Sequence, residues 1–349
     1  MPIRNSLDQL HAYVPGEQPS GDRVLKLNTN ENAYPPSPKV FEALGTVTAD
    51  TLRKYPDPVG RELCAAIAEL HGLDADQVLI TNGSDEGLAL CTRTFCEHGG
   101  RVGYLTPSYS LYPVLSSIAE LERVEYELSP DFHWQMPEKV AADLFFLTQP
   151  NAPTSLAMSR QEVEQLLTRF SGILLIDEAY VDFADESMLP LLRNSKRILI
   201  SRSFSKSYSL AGIRMGYVIG SRSLIEALYK IKDSYNTDVL AQRIALAAVR
   251  DQATMLSNVT AVRGTRTRVT RELHTRGFEV LPSQTNFVFA KAPATQEAES
   301  LFKGLRDRQV YVRYFPGKLT GDFIRITIGT DEQMDAFFTE LDDLLLRSK

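Results

Sequence analysis

Between Val78 and Gly220 the chain repeats one unit: a short apolar run, a turn, then a stretch with apolar residues at helical spacing. The runs are Val78 to Ile80, Val102 to Leu105, Leu144 to Leu147, Ile173 to Ile176, Ile198 to Ile200 and Tyr217 to Ile219. Runs without polar alternation suit strands covered on both faces, which is how parallel sheets are built. Ser159, with Glu162 three places on, forms a capping box ahead of Val163, Leu166, Leu167 and Phe170 on one helical face. That is the crossover helix a parallel pair requires, so the pattern predicts a largely parallel sheet.

Beyond about Val239 the rhythm changes. A long helical stretch leads to strands near Asn286 to Ala290, Val310 to Val312 and Phe323 to Ile328, with helices between and after, as in a separate α+β unit. Proline-rich Asn28 to Pro38 reads as extended loop, and short N-terminal segments often complete such a C-terminal unit. The predicted division is a large unit over residues 45–240 and a smaller α+β unit made of residues 1–44 and 241–349, with the long helix connecting them.

A length of 349 residues accommodates both units. Hydrophobic residues at 43% and charged residues at 23% are ordinary for a globular protein, and no stretch approaches the ~20 apolar residues of a membrane span. Arg4, Asp8 and His11 interrupt the first residues, so no secretory leader is expected and the protein reads as cytoplasmic. Cys64, Cys91 and Cys96 cannot all pair and match no zinc spacing, so they are expected to be reduced packing residues, with no metal site. A net charge of -6 argues against nucleic-acid binding. The segment from Arg263 to Arg276 carries five arginines and one acid, and reads as a solvated or subunit-facing helix surface.

Ligands of a parallel sheet bind beyond the carboxyl ends of its strands. After Val78 to Ile80 comes Thr81-Asn82-Gly83-Ser84-Asp85-Glu86, where a glycine turn into a helix could hold a phosphate or could be an ordinary strand-to-helix junction. The run Ile173 to Ile176 ends in Asp177-Glu178-Ala179-Tyr180. An acid there needs a cationic partner: an ion pair, a helix cap, or a pyridinium nitrogen whose ring it would keep electron-withdrawing. After Ile198 to Ile200 stand Ser203, Ser205, Lys206 and, close behind, Arg214. A lone loop lysine is ordinarily a solvated charge, but neighbouring hydroxyls and a guanidinium make phosphate donors, while nearby positive charge and partial burial lower a lysine pKa enough for a Schiff base. Asn151, in the loop Gln149 to Ser155, could bond a ring oxygen or belong to a plain proline turn. Tyr109 could lie against a planar ligand or be a core tyrosine. Along Phe323 to Ile328 the isoleucines at 324, 326 and 328 share one face and Arg325 the other; Arg313 is a second arginine able to grip a carboxylate or phosphate, or to form a surface salt bridge.

Ser203-Phe204-Ser205-Lys206 with Gly212 to Gly216, Asp177 to Tyr180 some thirty residues earlier, and Pro150-Asn151-Ala152-Pro153-Thr154 before that resemble the class I and II aminotransferases. The resemblance runs across nearly the whole chain. It implies the fold-type-I α/β architecture: a large domain whose mostly parallel central sheet is sandwiched by helices, plus a smaller α+β domain. It implies pyridoxal 5'-phosphate as cofactor, Lys206 as its Schiff-base lysine and proton shuttle, Asp177 opposite the ring nitrogen, Asn151 and Tyr180 on the ring oxygen, and Tyr109 stacked on the ring. Gly83, Ser84, Asp85, Ser203, Ser205 and Arg214 would surround the cofactor phosphate. Tyr55 would reach the phosphate of a neighbouring subunit, implying a homodimer with shared active sites.

Tyr13 to Gly16, Leu27 to Asn32, Arg53 to Asp57 and Ile324 to Gly329 are most similar to the branch of that family that moves the amino group of a phosphorylated amino alcohol to 2-oxoglutarate, giving glutamate. Tyr13, Asn30, Asn151, Arg313 and Arg325 would then meet substrate. The chain departs from the family loop pattern at Gln149 and Ser155, where asparagine and glycine are common. Three other readings remain open: a transaminase of aromatic amino acids, a lyase of the same fold that releases carbon dioxide, and a cofactor-binding regulator without turnover. A regulator would usually carry a DNA-binding appendage, and neither a spare domain nor a basic charge is present.

Overall fold

The computed structural model describes residue 10, residues 12–21 and residues 24–347; Arg4, Asp8 and His11 lie outside them. In chain order the first elements are β1 (Leu25–Lys26), α1 (Pro38–Gly45), α2 (Ala49–Leu52), α3 (Arg61–His71), β2 (Val78–Thr81), α4 (Gly83–Phe95), β3 (Arg101–Thr106), α5 (Leu111–Ile118) and β4 (Glu122–Glu127). Then come β5 (Leu144–Thr148), α6 (Arg160–Arg169), β6 (Ile173–Asp177), β7 (Ile198–Ser203), β8 (Gly216–Gly220), α7 (Arg222–Tyr229), α8 (Val239–Val249) and α9 (Gln252–Thr275). The last are β9 (Glu279–Val280), β10 (Phe287–Lys291), α10 (Ala298–Asp307), β11 (Val310–Tyr311), β12 (Arg313–Tyr314), β13 (Phe323–Thr327) and α11 (Asp331–Arg347).

The central sheet has seven strands in the order β2-β8-β7-β6-β5-β3-β4. It is parallel from β7 to β4, while β8 runs antiparallel to both of its neighbours. Alternate residues feed two cores. Phe145, Leu147, Leu174, Ile176, Ile198 and Ile200 pack on one face, and Leu144, Phe146, Leu175 and Leu199 meet Leu88, Cys91, Tyr112 and Ile225 on the other. A fully buried side chain of this kind contributes about 1.5–3 kcal/mol, so the strand ends that carry the polar residues described below are rigidly placed.

The capping box forms as the sequence predicts, with Ser159 Oγ accepting from the Glu162 N-H at 3.3 Å and Glu162 Oε2 accepting from the Ser159 N-H at 2.7 Å. Other expectations need correction. The helical stretch from Val239 is two helices, α8 and α9, separated at Arg250 and Asp251. The strand near Val310 to Val312 is split into β11 and β12. Four of the five arginines from Arg263 to Arg276 bind within the chain, whereas the fifth, Arg271, is 73% exposed as a solvated surface would have it. Arg266 donates to the carbonyls of Phe183 and Thr285, Arg268 pairs with Asp331 and Asp335, Arg276 pairs with Asp342, and Arg263 pairs with Asp185. They tie α9 to α11 and to the loop after β6.

A second sheet, formed in the C-terminal third, has four strands in the order β12-β13-β10-β9. The N-terminal segment reaches the same region, because β1 pairs parallel with β11 in a separate two-stranded sheet. Helix α8 packs against α1 and α3. Cys64 and Cys91 are buried and unpaired, and no helix among the described residues is long and apolar enough to cross a membrane.

Candidate active site

Strands β7, β8 and β2 are in register at Ser203, Gly216 and Thr81. Just past that row, α4 starts on one side and the segment from Phe204 to Arg214 loops over on the other. Gly83 opens α4 with a φ of 74°. A Cβ on Gly83 would lie 2.6 Å from Nη2 of Arg214, and one on Gly216 would lie 2.7 Å from the backbone of Gly83 and Ser84. Both positions must therefore be glycine for the helix start and the arginine to sit together. Arg214, itself at a φ of 50°, donates to Ser205 Oγ at 3.2 Å and to Asp85 Oδ2 at 3.4 Å. Asn82 makes no side-chain cap to α4. First-turn N-H groups, Ser203, Ser205 and a guanidinium thus make a cup suited to a dianion.

Asp177 ends β6 in register with Thr148 and is 3% exposed. It accepts from Tyr112 Oη at 3.2 Å and from the Ala179 N-H at 3.3 Å, yet no cation among the described residues pairs with it. Burial, with Asp85 adding, pushes its pKa up to about 7. The next residue differs. Glu178 accepts two bonds from Arg202, at 2.9 and 2.7 Å, and others from Ser187 and the Met188 N-H. The chain therefore supplies a cation to one of two adjacent acids and leaves the other facing the cavity without one.

Lys206 lies across that cavity. Its Nζ donates to the Thr29 carbonyl at 3.2 Å and sits 5.7 Å from the centre of the Tyr180 ring. Burial, and then the charges of Arg325 and Arg214, bring its pKa down to about 8. Asn32 donates to the carbonyls of Lys206 and Ser207, and Ser207 bonds Asp182, so the loop carrying the amine is fixed.

Arg313 and Arg325 are paired directly across β12 and β13. Like charges in that relation destabilise a sheet. Phe315 lies beside both, its ring centre 5.5 Å from the Arg313 guanidinium carbon and 5.2 Å from that of Arg325. Burial, then Arg313, pulls the Arg325 pKa down to about 10; Nη2 donates to Asn28 O at 2.8 Å, while Nε is buried without a partner. The pair is a preformed receptor for an anion.

An amine of lowered pKa, a buried carboxylate without a cation and a dianion cup share one cavity of about 440 Å³. The family described as Aminotransferase class I and II matches residues 22–341. The chain belongs to this family. The histidinol-phosphate aminotransferase of Syntrophotalea carbinolica is 41% identical over 347 residues, covering 98% of this chain and 99% of its own. Among solved structures, the histidinol-phosphate aminotransferase of Sinorhizobium meliloti in complex with pyridoxal-5'-phosphate aligns with a TM-score of 0.88 at 23% identity, covering 100% of this chain and 98% of its own. The L-threonine-O-3-phosphate decarboxylase of Porphyromonas gingivalis aligns with a TM-score of 0.80 at 22% identity, covering 91% of this chain and 98% of its own. The fold serves both reactions, so the site must distinguish them.

Of the residues this family resemblance implicates, Tyr13, Asn30, Ser84, Asp85, Tyr109, Asp177, Tyr180, Ser203, Ser205, Lys206, Arg214, Arg313 and Arg325 line the cavity. Tyr109 donates to Asp85 Oδ1 at 3.1 Å and meets Tyr13 edge-on. Asn30 is committed within the protein, its Nδ2 donating to Tyr180 Oη at 2.9 Å and its Oδ1 accepting from Thr327. Three implicated residues do not line the cavity. Gly83 stands behind Arg214, and Asn151 donates to Pro107 O while its Oδ1 is buried without a partner. Tyr55 is 80% exposed and stacks on Tyr235 at 4.4 Å. At the altered loop positions, Gln149 exchanges two bonds with the Met158 backbone, and Ser155 takes a φ of 66°, the conformation that favours the glycine common there. The sequence reading missed Tyr112, Asn32 and Phe315. Spacing could have found Tyr112, three residues after Tyr109 at a helix start; nothing local marks Phe315.

Proposed function

We propose that this chain is a cytoplasmic, homodimeric enzyme that transfers the amino group of histidinol phosphate to 2-oxoglutarate, a step of histidine biosynthesis, with pyridoxal 5'-phosphate as cofactor. The observation that carries the reading is the facing pair Arg313 and Arg325. A site that alternates between a phosphate-bearing amine and a dicarboxylate needs one cationic grip for both, and planar guanidinium groups bind either anion through two parallel bonds. The two histidinol-phosphate aminotransferases named above support the same substrate.

The residues present fit the cofactor. Its phosphate matches the cup of Ser84, Ser203, Ser205 and Arg214, and its ring nitrogen matches the lone carboxylate of Asp177. When bound, pyridoxal phosphate supplies an aldehyde that condenses with amines and a ring that draws electrons from the adjoining carbon. Lys206 would hold it covalently through Nζ. Buried between arginines, that Nζ gives up a proton near neutral pH, so it can take one from a substrate carbon and return it. Tyr180, held by Asn30, borders the same amine. Tyr13 and the backbone of residues 14–16 stand over the arginine pair, since Arg313 donates to the carbonyls of Val14 and Pro15.

The test combines purified protein, pyridoxal phosphate, histidinol phosphate and 2-oxoglutarate, with glutamate and carbon dioxide both assayed. Glutamate without gas is expected, and none from Lys206→Ala. Gas would instead indicate the decarboxylase chemistry of the same fold, and activity confined to aromatic donors would remove the phosphate from the reading. Arg325→Gln should raise KM for donor and acceptor alike, by about tenfold or more, because one grip serves both.

A further inference from the structure

Tyr112, one residue into α5, is fully buried beneath the cavity-lining residues Tyr109, Thr148 and Asp177. Its ring is stacked on Phe146 at 4.8 Å and meets Tyr109 edge-on at 5.7 Å, so its hydroxyl is fixed in place. That hydroxyl has two side-chain neighbours: Thr148 Oγ1 at 2.6 Å and Asp177 Oδ2 at 3.2 Å. A phenol carries one proton, and an ionised carboxylate can only accept. Tyr112 therefore donates to Asp177, and Thr148 donates to Tyr112. The other carboxylate oxygen accepts from the Ala179 N-H, so both oxygens of Asp177 are oriented by bonds that favour its charged form.

We infer that Tyr112 is a positioning residue: relayed from Thr148, its hydroxyl fixes the Asp177 carboxylate and holds its negative charge, so that the proton shared with the cofactor ring stays on the ring nitrogen. This rests on the reading of the cavity as a pyridoxal phosphate site. The titratable groups that bear on Asp177 are Asp85 from α4, Glu178 beside it, Tyr109 just before α5, Tyr112 in its first turn, and Tyr180. Burial and both acids favour the neutral carboxyl, while Tyr112 is the foremost group favouring the charge, ahead of the Ala179 N-H. Without its hydroxyl, the carboxylate becomes more basic and competes better for the ring proton.

The experiment loads the full-length protein with pyridoxal phosphate labelled with ¹⁵N in the ring and reads the nitrogen resonance, which reports directly whether that atom carries a proton. In Tyr112→Phe the resonance should move toward the unprotonated position, with kcat lower by about tenfold and KM changed less than about twofold. Thr148→Val should move it the same way by less, and Thr148→Ser should restore it. Tyr112→Phe and Thr148→Val resonances identical to the parent would overturn the inference, leaving Tyr112 as packing against Phe146. Asp177→Asn separates the two claims: if that variant also keeps a protonated ring nitrogen, the assignment of Asp177 to the ring fails, whatever Tyr112 does.

Discussion

Asp177 and Glu178 show how a single residue's surroundings decide between structure and chemistry. Glu178 is neutralised by Arg202 inside the fold, whereas Asp177 is buried with hydrogen bonds but, among the described residues, no cation. The cost of that choice depends on pH. Below the ordinary carboxyl value of 3.8 folded and unfolded chains both hold the proton, and burial carries no ionisation penalty. Between 3.8 and about 7 the unfolded chain has released its proton while the folded one keeps it, so stability falls as pH rises, and above about 7 the penalty is complete. Ligand-free Asp177→Asn should therefore be more stable than the parent at about pH 8, on the order of 4 kcal/mol, with the gap closing as pH falls toward about 4. Thermal unfolding across that range measures it; a gap that ignores pH would mean that Asp177 is not the buried acid described. The sequence showed an acid at a strand end in need of a cation, but not which of two adjacent acids lacked one, because Arg202 and its direction are set by the register of β7 against β6.

At the scale of elements, the cup depends on how closely β8 approaches the start of α4. Gly216→Ala would push a methyl against the backbone of Gly83 and Ser84, and backbone cannot swing aside as a side chain can. The expected result is a stability loss of about 1–3 kcal/mol and pyridoxal phosphate binding weaker by at least about tenfold. Gly212→Ala, whose Cβ would meet nothing within 4 Å, should leave both unchanged, and equal behaviour of the two variants in calorimetry and cofactor titration would discredit the close-approach argument. Six strands were legible because burial on both faces leaves an uninterrupted apolar run. Strand β4 was not: Glu122 to Glu127 alternates charged with partly buried residues at the sheet edge, where one side of the ladder faces water. The reversed direction of β8 was equally hidden, since a doubly covered strand reads the same either way along.

At the scale of the whole molecule, the proposed dimer turns on an exposed pair of tyrosines. Tyr55 and Tyr235 stack on each other in the open, with Phe41 at 62% and Leu52 at 60% exposed on neighbouring α1 and α2. Exposed large apolar side chains suit a contact surface, and the proposed dimer would place Tyr55 against the phosphate cup of the second subunit. Lys206 and Tyr55 of one chain would then serve different sites. That separation predicts complementation. Lys206→Ala has no working amine but an intact Tyr55; a Tyr55→Ala chain has the amine but fails its neighbour. When the two are unfolded together and refolded at equal amounts, about half of the dimers should be mixed, each with one complete site, so the mixture should recover about a quarter of the parent activity. Either variant refolded alone should remain far below that level, and a mixture no better than the mean of the two would show that each chain completes its own site.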